Sequence, residues 1–516
     1  MVNRIALLFL VLFICFNSFA QLVELTLDNQ GNPNEPSICF SKSNDSLLYA
    51  ASNIDNFYTY NSFTKSIHKK KSKSKLGVYG DPVLMATDSS LYFAHLSKTA
   101  NKSYGDWFDR IVVQKISDAE NWNEQSYSVG FNHGKMQDKP WLSSSSDGDV
   151  FVTWTEFDKY DSDDPKHFSR IRFSALLKDS DSFSQAITIS DTVGDCLDGD
   201  HTLEGATTAV DHLGNIYAVW AGHDNIYFDK SLDGGVTWGK DKIIAKQVKG
   251  WDMDMPNIMR ANGMPFIVRD IVRDILHVCW ADERNGNADI WLISSSDQGT
   301  KWSAPKRLNL DTTKSHQYFP NIAIDQETGT VYVAYYDFKS SPTNTFYSIT
   351  LASYSYNGEL TNTQLTPFVS ALPGKTVFYG DYLDIDIHNN QLAVVYTAYD
   401  LGQKTEVNLI KEGTLSDGIF SKIGINNTPA IVRNGEIAQI LLNVEHPHKT
   451  KIKVKTIENG KKSRHLFKAL YTGKKTGWDQ ELGKLNVGPN TSIYHIKYRI
   501  RDLDVRHVYK RSISLK

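Results

Sequence analysis

The chain has 516 residues, too many for one ordinary domain unless a repeat absorbs them, and its formal net charge is −3. The balance is uneven: residues 421–516 hold 20 Lys and Arg against 7 Asp and Glu, while residues 1–420 hold 36 against 52. The acidic large part excludes nucleic acid as a partner, since phosphate binding rests on basic surface, and the step in composition marks a domain boundary near 420.

The first element is "MVNRIALLFLVLFICFNSFAQ", with an early Arg4, an apolar run from Ile5 to Phe16, and small residues at Ser18 and Ala20. This pattern predicts a secretory signal peptide over 1–20, cleaved after Ala20. The run is shorter than the roughly 20 residues of a spanning helix, and no later stretch approaches that length, so the chain is expected to be exported with no transmembrane segment. Cys15 follows bulky Ile14, which argues against a lipoprotein anchor. Only Cys39, Cys196 and Cys279 remain after cleavage, too few for a disulfide-built scaffold.

From residue 36 onward one unit recurs: a Pro-like corner, an apolar stretch, a polar turn and a strand ending in an aromatic. "EPSICFSKSNDSLLYAA", "DPVLMATDSSLYFAH", "KPWLSSSSDGDVFVTW", "EGATTAVDHLGNIYAVW", "MPNIMRANG…DILHVCW", "FPNIAIDQETGTVYVAY" and "DYLDIDIHNNQLAVVY" place the corners at Pro36, Pro82, Pro140, Gly205, Pro256, Pro320 and Tyr382. Alternation such as "NIYAVW" is strand-like, and no segment sustains a helical period. Units of this length with four strands predict an all-β, seven-bladed propeller over 21–420, with six blades as the alternative. The last unit runs out of strands while "LVELTL" at 22–27 is unassigned, so the N-terminal strand is expected to complete the last blade and remove the open edge. Trp154, Trp220, Trp280, Tyr335 and Tyr396 share one column and read as core, and "KKKSKSK" at 69–75 reads as a solvated hairpin tip.

Propellers bind ligands where the loops leading into their inner strands meet around the axis. The residues just before the corners are Glu35, Asp81, Lys139, Glu204, Met255, Phe319 and Asp381, with Asp138, Asp252 and Asp254 close by. Carboxylates in one column repel unless a cation, a hydroxyl-rich ligand or a shared proton relieves them. No cofactor is required, but Ca²⁺ near Asp81 and Asp381 is a candidate because hard oxygen ligands suit it. Trp141, Trp251, Asp252, Arg260, Arg284, Gln317 and Tyr382 are placed around the same mouth as substrate-binding candidates: aromatics stack on sugar rings, while Arg, Gln and carboxylates bond hydroxyls or anionic groups. His201 and His223 lack a third ligand at zinc spacing. The tail, with "KTKIKVKT" and "IYHIKYRIR", alternates apolar and basic residues and predicts a small β-sandwich with a cationic exterior over 421–516, able to contact an anionic surface.

Two octapeptides remain, "SLDGGVTW" and "SSDQGTKW". Ser231, Asp233, Gly235 and Trp238, and again Ser295, Asp297, Gly299 and Trp302, match the Asp-box (BNR repeat) of sialidase-superfamily propellers, and the string from "LEGATTAV" to "FYGDYLDI" resembles secreted BNR proteins of the Bacteroidetes type. The resemblance implies a rim turn between the third and fourth strands of a blade, and a glycan or glycoconjugate as partner. It also implies a sialidase kit of three clamp arginines, a Tyr nucleophile and an Asp acid/base. This chain has no Arg-Ile-Pro motif and no arginine between the signal peptide and Arg110; Arg260, Arg269, Arg284 and Arg307 are the later candidates, which argues against ordinary exo-sialidase activity. Asp81, Asp254, Asp381, His316 and Tyr379 are the catalytic candidates. A carboxylate pair such as Asp254 and Asp381 would serve glycoside hydrolysis, whereas His316, Tyr379 and Arg260 would serve β-elimination on a uronate, as in some propeller lyases. A non-catalytic glycan- or protein-binding propeller is the alternative to both.

Overall fold

The structure is a computed structural model describing residues 23–98, 108–116, 124–338, 346–366, 370–372, 374–400 and 404–411, together with the backbone of eight strands between 429 and 514. Residues 1–20, read as a signal peptide, lie outside the described residues. The described residues contain no helix.

Seven antiparallel sheets, each built on four strands, form blades I to VII of a β-propeller; the four follow chain order in blades I to VI, and blade VI carries a further short strand, Ser370–Ala371, beside its third. Blades I to VI span 37–71, 83–129, 136–188, 204–246, 266–307 and 317–364. Blade VII joins Asp384–His388, Gln391–Asp400 and Lys404–Lys411 to Val23–Asp28, with Val23 opposite Lys411 and Thr26 opposite Asn408. The expected closure by the N-terminal strand is therefore present, and the six-bladed alternative is excluded. It works because a ring whose last sheet borrows its outer strand from the chain start cannot open without breaking that ladder. The strands after residue 429 form a three-stranded and a five-stranded sheet that pair only among themselves.

Blades bury their strands on both faces, which explains the near-continuous apolar second strands: Val150–Phe157 and Ile216–Gly222 are buried at every position. Apolar layers lie between consecutive blades, and Trp154, Trp220, Trp280, Tyr335 and Tyr396 are all fully buried within them. Leu27, Ile38, Tyr58 and Val395 share the layer that joins blade VII to blade I. Outer strands carry charge instead. Ser66–Lys71 is one of them, so Lys69–Lys71 belong to a strand edge rather than to the hairpin tip expected from sequence, with Lys69 paired to Asp28.

Each octapeptide follows the third strand of its blade and turns toward the fourth. In blade IV, Ser231 Oγ donates to Asp233 Oδ1 (2.7 Å), the amides of Gly235 and Thr237 donate to Ser231 Oγ (2.8 Å) and Asp233 Oδ1 (2.9 Å), and Trp238 packs edge-on against Phe173 of blade III at 5.1 Å. Blade V repeats the pattern with Ser295, Asp297, Gly299 and Lys301, and Trp302 meets Phe228 of blade IV at 5.3 Å. Gly235 has φ +93°, and a Cβ there would sit 2.3 Å from Phe173, so only glycine fits.

Candidate functional site: a carboxylate cluster at the propeller mouth

Strand register defines which residues enter the mouth. The equivalent inner-strand positions of the seven blades are Ser37, Val83, Trp141, Thr207, Phe266, Asn321 and Asp384, judged by their partners on the second strands; in blades III, IV and VI they follow a shift of register within the strand. Two positions earlier stand Glu35, Asp81, Lys139, Gly205, Met264, Phe319 and Tyr382; three earlier stand Asn34, Gly80, Asp138, Glu204, Gly263, Tyr318 and Asp381. The column read from sequence merges these two rows. Blades IV and VII lack a proline at the corner, which displaced their alignment by one residue. Blade V was anchored on Pro256, but its inner strand starts at Phe266, directly after Pro265.

Glu35, Asp81, Lys139 and Phe319 adopt φ of +47 to +49°, and Gly205 +70°. A left-handed non-glycine residue costs roughly 1–2 kcal/mol, and its recurrence in five blades makes it part of the scaffold that aims this row at the axis. Gly380, at φ +100°, lets the chain pass the Glu35 backbone, whose amide nitrogen would lie 2.8 Å from a Cβ.

The two rows, with two loop residues, assemble a buried charge cluster. Lys139 Nζ lies 2.8 Å from Asp381 and 3.5 Å from Glu204. Arg260 donates Nε to Asp381 Oδ1 at 2.8 Å and Nη2 to Asp381 Oδ2, and its Nη1 reaches Asp198 at 2.8 Å. Asp198 also accepts from Tyr160 (2.7 Å) and from Trp251 Nε1 (3.0 Å). Asn53 donates to Glu35 and receives the Asp81 amide at 2.8 Å.

Six carboxyl groups thus face two cations, and their ionisation divides. Burial, reinforced by the charge of Asp381, pushes Glu35 up to about 7. Burial also lifts Asp81, beside Glu35, to about 8. It lifts Asp138 to about 8 against the pull of Lys139, and it raises Glu204 well above the carboxylate range. At Asp381 burial pushes upward too, but Arg260 and Lys139 outweigh it and hold the group low; Lys139 and Arg260 likewise lower Asp198. Protonated and ionised carboxyl groups therefore stand side by side, as an acid and a base must.

A shallow depression of about 20 Å³ opens over the cluster, lined by Lys139, Asp198, Trp251, Asp252, Arg260 and Asp381. Arg260, at 38% side-chain exposure, is the charged group of the cluster that reaches solvent furthest. Trp141 packs edge-on against Phe266 (4.9 Å) and Tyr382 (5.8 Å), and Tyr382 is buried. Both oxygens of Asp381, one of the two carboxylates named for calcium, are held by Arg260 and Lys139, and no group of three or more His, Cys, Asp or Glu side chains arranged to hold a metal ion occurs among the described residues.

Of the candidate residues, the structure brings together Asp81, Asp381, Trp251, Asp252, Arg260, Trp141 and Tyr382. It does not bring Asp254, whose side chain is 90% exposed and paired with Lys375 at 2.7 Å. Arg284 chelates Asp282 and lies over Trp291 at 4.4 Å. Arg269 pairs with Asp274 and Arg307 with Asp289, so no arginine triad forms at the mouth among the described residues. Gln317 is buried between Asn309 and Asp337. His316 accepts the Ala288 amide at 3.2 Å and packs on Phe338, while Tyr379 is buried against Tyr336 and Tyr347; no bond links His316, Tyr379 and Arg260. The rings of His201 and His223 lie 5.9 Å apart, tilted by 36°, with His223 bonded to the Val193 carbonyl. Sequence reasoning missed Asp198 and Tyr160, which sit in loops outside the repeat column.

The chain matches no protein-family model and no curated protein. Solved structures similar to it include a protein of unknown function from Dyadobacter fermentans (11% identity, 77% of this chain and 100% of that one, TM-score 0.42). Another is Trypanosoma rangeli sialidase in complex with the inhibitor DANA (8% identity, 95% and 90% covered, TM-score 0.39). A third is an ulvan lyase, from a new family of polysaccharide lyases (8% identity, 84% and 91% covered, TM-score 0.38). Scores and identities this low carry no residue and no activity over to this chain, whose seven-bladed ring rests on its own strand pairing.

Proposed function

We propose that this chain is an exported, sialidase-like propeller that acts on complex carbohydrate at its axial mouth, with glycoside hydrolysis as the reaction. The observation that supports the reading is the division of ionisation within one cluster. Asp381 and Asp198 are held as carboxylates while Glu35, Asp81 and Asp138 keep protons near neutrality. Hydrolysis of a glycoside needs a carboxylic acid for the leaving oxygen and a carboxylate for the opposite face. Trp251 and Asp252 would flank the sugar, and Arg260 would bond its hydroxyls or an anionic substituent. A single arginine at the mouth argues against a three-arginine clamp, so a substrate other than a terminal sialic acid is the better fit.

Export is part of the same proposal and rests on residues 1–20. The two octapeptides are proposed as Asp-boxes on their Ser, Asp, Gly and Trp geometry, and 421–516 as a separate basic β-sandwich. A second reading, a glycan-binding propeller without catalysis, is supported by one specific fact: both oxygens of Asp381 are engaged by Arg260 and Lys139, leaving none free to attack or to activate water.

The mature protein, incubated with a panel of neutral and anionic glycans with and without chelator, decides between them. Released sugar that disappears in Asp381→Asn establishes hydrolysis. Binding without product on every glycan refutes it in favour of the second reading.

A further inference from the structure

A cavity lies away from the axis, along the seam between blades II and III. It measures about 480 Å³, within the roughly 300–1,000 Å³ typical of small-ligand clefts. Its walls are the outer strand of blade II with the loop that follows, and the outermost segment of blade III. None of its lining residues belongs to the axial cluster.

Three aromatic rings from two segments face this cleft: Tyr127 and Phe131 from 126–132, and Phe183 from 182–186. Tyr127 and Phe183 pack edge-on at 5.4 Å, which ties the two blades together across its floor. Phe131 is 54% exposed, and the Arg110 guanidinium stacks over its ring at 4.4 Å. A cation on one face immobilises the ring and leaves it a rigid apolar plate. Such a plate beside polar groups is the arrangement that binds the C–H face of a pyranose while its hydroxyls are bonded at the edge.

The polar groups are present and built. Glu156 is 2% exposed and accepts from Asn132 (3.1 Å), Gln137 (3.3 Å), Lys135 (3.4 Å) and Arg170 (3.3 Å), so both of its oxygens are engaged. Arg172 commits Nη2 to the Ala186 carbonyl at 3.1 Å, and its buried Nε has no acceptor. Gln185 lines the cleft from an exposed position and supplies both a donor and an acceptor.

We infer that this seam is a second, non-catalytic saccharide-binding site, holding a pyranose against Phe131 with Gln185 and Arg172 at its hydroxyls. The inference extends the carbohydrate reading to a new place on the molecule and does not depend on hydrolysis at the axis. Such a site would keep a polymer on the propeller flank while the mouth addresses another part of it.

The test is calorimetric titration of the full mature protein with maltotriose, chitotriose and 3′-sialyllactose, with chromatography of each sample for released sugar. At least one trisaccharide should bind, and Phe131→Ala should weaken it about tenfold, the loss of one aromatic stacking contact. Gln185→Ala should weaken it too, and Leu213→Ala, an exposed side chain of blade IV away from both the seam and the mouth, should leave it unchanged. Both Phe131 and Gln185 are exposed enough that thermal midpoints should not move. The inference is overturned if none of the three binds, if binding survives both seam variants, or if it is lost equally with Leu213→Ala. Absence of released sugar bears on the axial reaction alone, because the titration reads binding.

Discussion

Arg260 and Asp381, 121 residues apart in the chain, meet at the propeller axis in a two-point contact, Nε to Oδ1 at 2.8 Å and Nη2 to Oδ2. The same guanidinium reaches Asp198 at 2.8 Å, so one cation holds two ionised carboxylates in place.

Removing that cation should be expensive. Arg260→Ala leaves Asp381 and Asp198 with Lys139 as the one cation of the described cluster beside them. Breaking a buried pair costs roughly 3–5 kcal/mol, and the partial exposure of Arg260 reduces this to about 2–3 kcal/mol. Arg260→Lys should recover less than half of the loss, because an ammonium cannot make the two-point contact. Urea unfolding of the three proteins measures both effects, and an Ala variant as stable as the parent would contradict the account.

The cluster should also make stability fall as pH rises. Glu35, Asp81 and Asp138 titrate near 7, 8 and 8 in the folded chain, against about 4 when unfolded. Between those values the folded state binds more protons, so the stability these groups contribute is complete below about pH 4 and lost as pH climbs through about 7–8. Asp381 has the opposite sign: its contribution is present above about pH 4 and lost on acidification. Urea midpoints should therefore decline from about pH 5 to about pH 8.5, and Asp138→Asn, neutral throughout, should flatten the decline. An unchanged slope in that variant would show that Asp138 does not hold its proton.

Two neighbouring glycines in the first octapeptide should respond differently. Both have positive φ, but a Cβ on Gly234 meets nothing within 4 Å, whereas one on Gly235 lies 2.3 Å from Phe173. Gly234→Ala carries only the backbone strain of about 1–2 kcal/mol. Gly235→Ala adds displacement of a buried ring between blades III and IV and should cost at least about 1 kcal/mol more, by comparison of thermal or urea midpoints.

Closure of the ring predicts a specific failure on truncation. Without residues 1–28 the ladder from Val23–Lys411 to Thr26–Asn408 is lost, and the strand Lys404–Lys411 becomes an open edge. The truncated chain should unfold at lower temperature and elute as oligomers through edge pairing. A monomer with the parent's thermal midpoint would show that the first strand is dispensable.

Much of the architecture was legible from residues 36–411 because blade repetition is a local pattern: alternation, turns and a terminal aromatic recur whenever a four-stranded unit must bury both faces. The same reasoning located the mouth and named Asp81, Asp381 and Arg260 for it. It failed where the marker was absent. With Pro256 in a loop and Pro265 at the true corner, blade V slipped by nine residues, and Asp254 was carried with it to a site that the chain instead exposes beside Lys375.

By itself, then, the sequence determined a ring of β-blades, seven with six as the alternative, the strand expected to close it, and a surplus of acid around its axis. Only the tertiary structure decided how that surplus is neutralised. Lys139 and Arg260 insert among six carboxyl groups, burial forces protons onto several of them, and loop residues Asp198 and Tyr160 complete the set. The reason is that strand register is written in neighbouring residues. Charge pairing at the axis joins residues from separate blades, and its outcome depends on burial that exists only once the ring has closed.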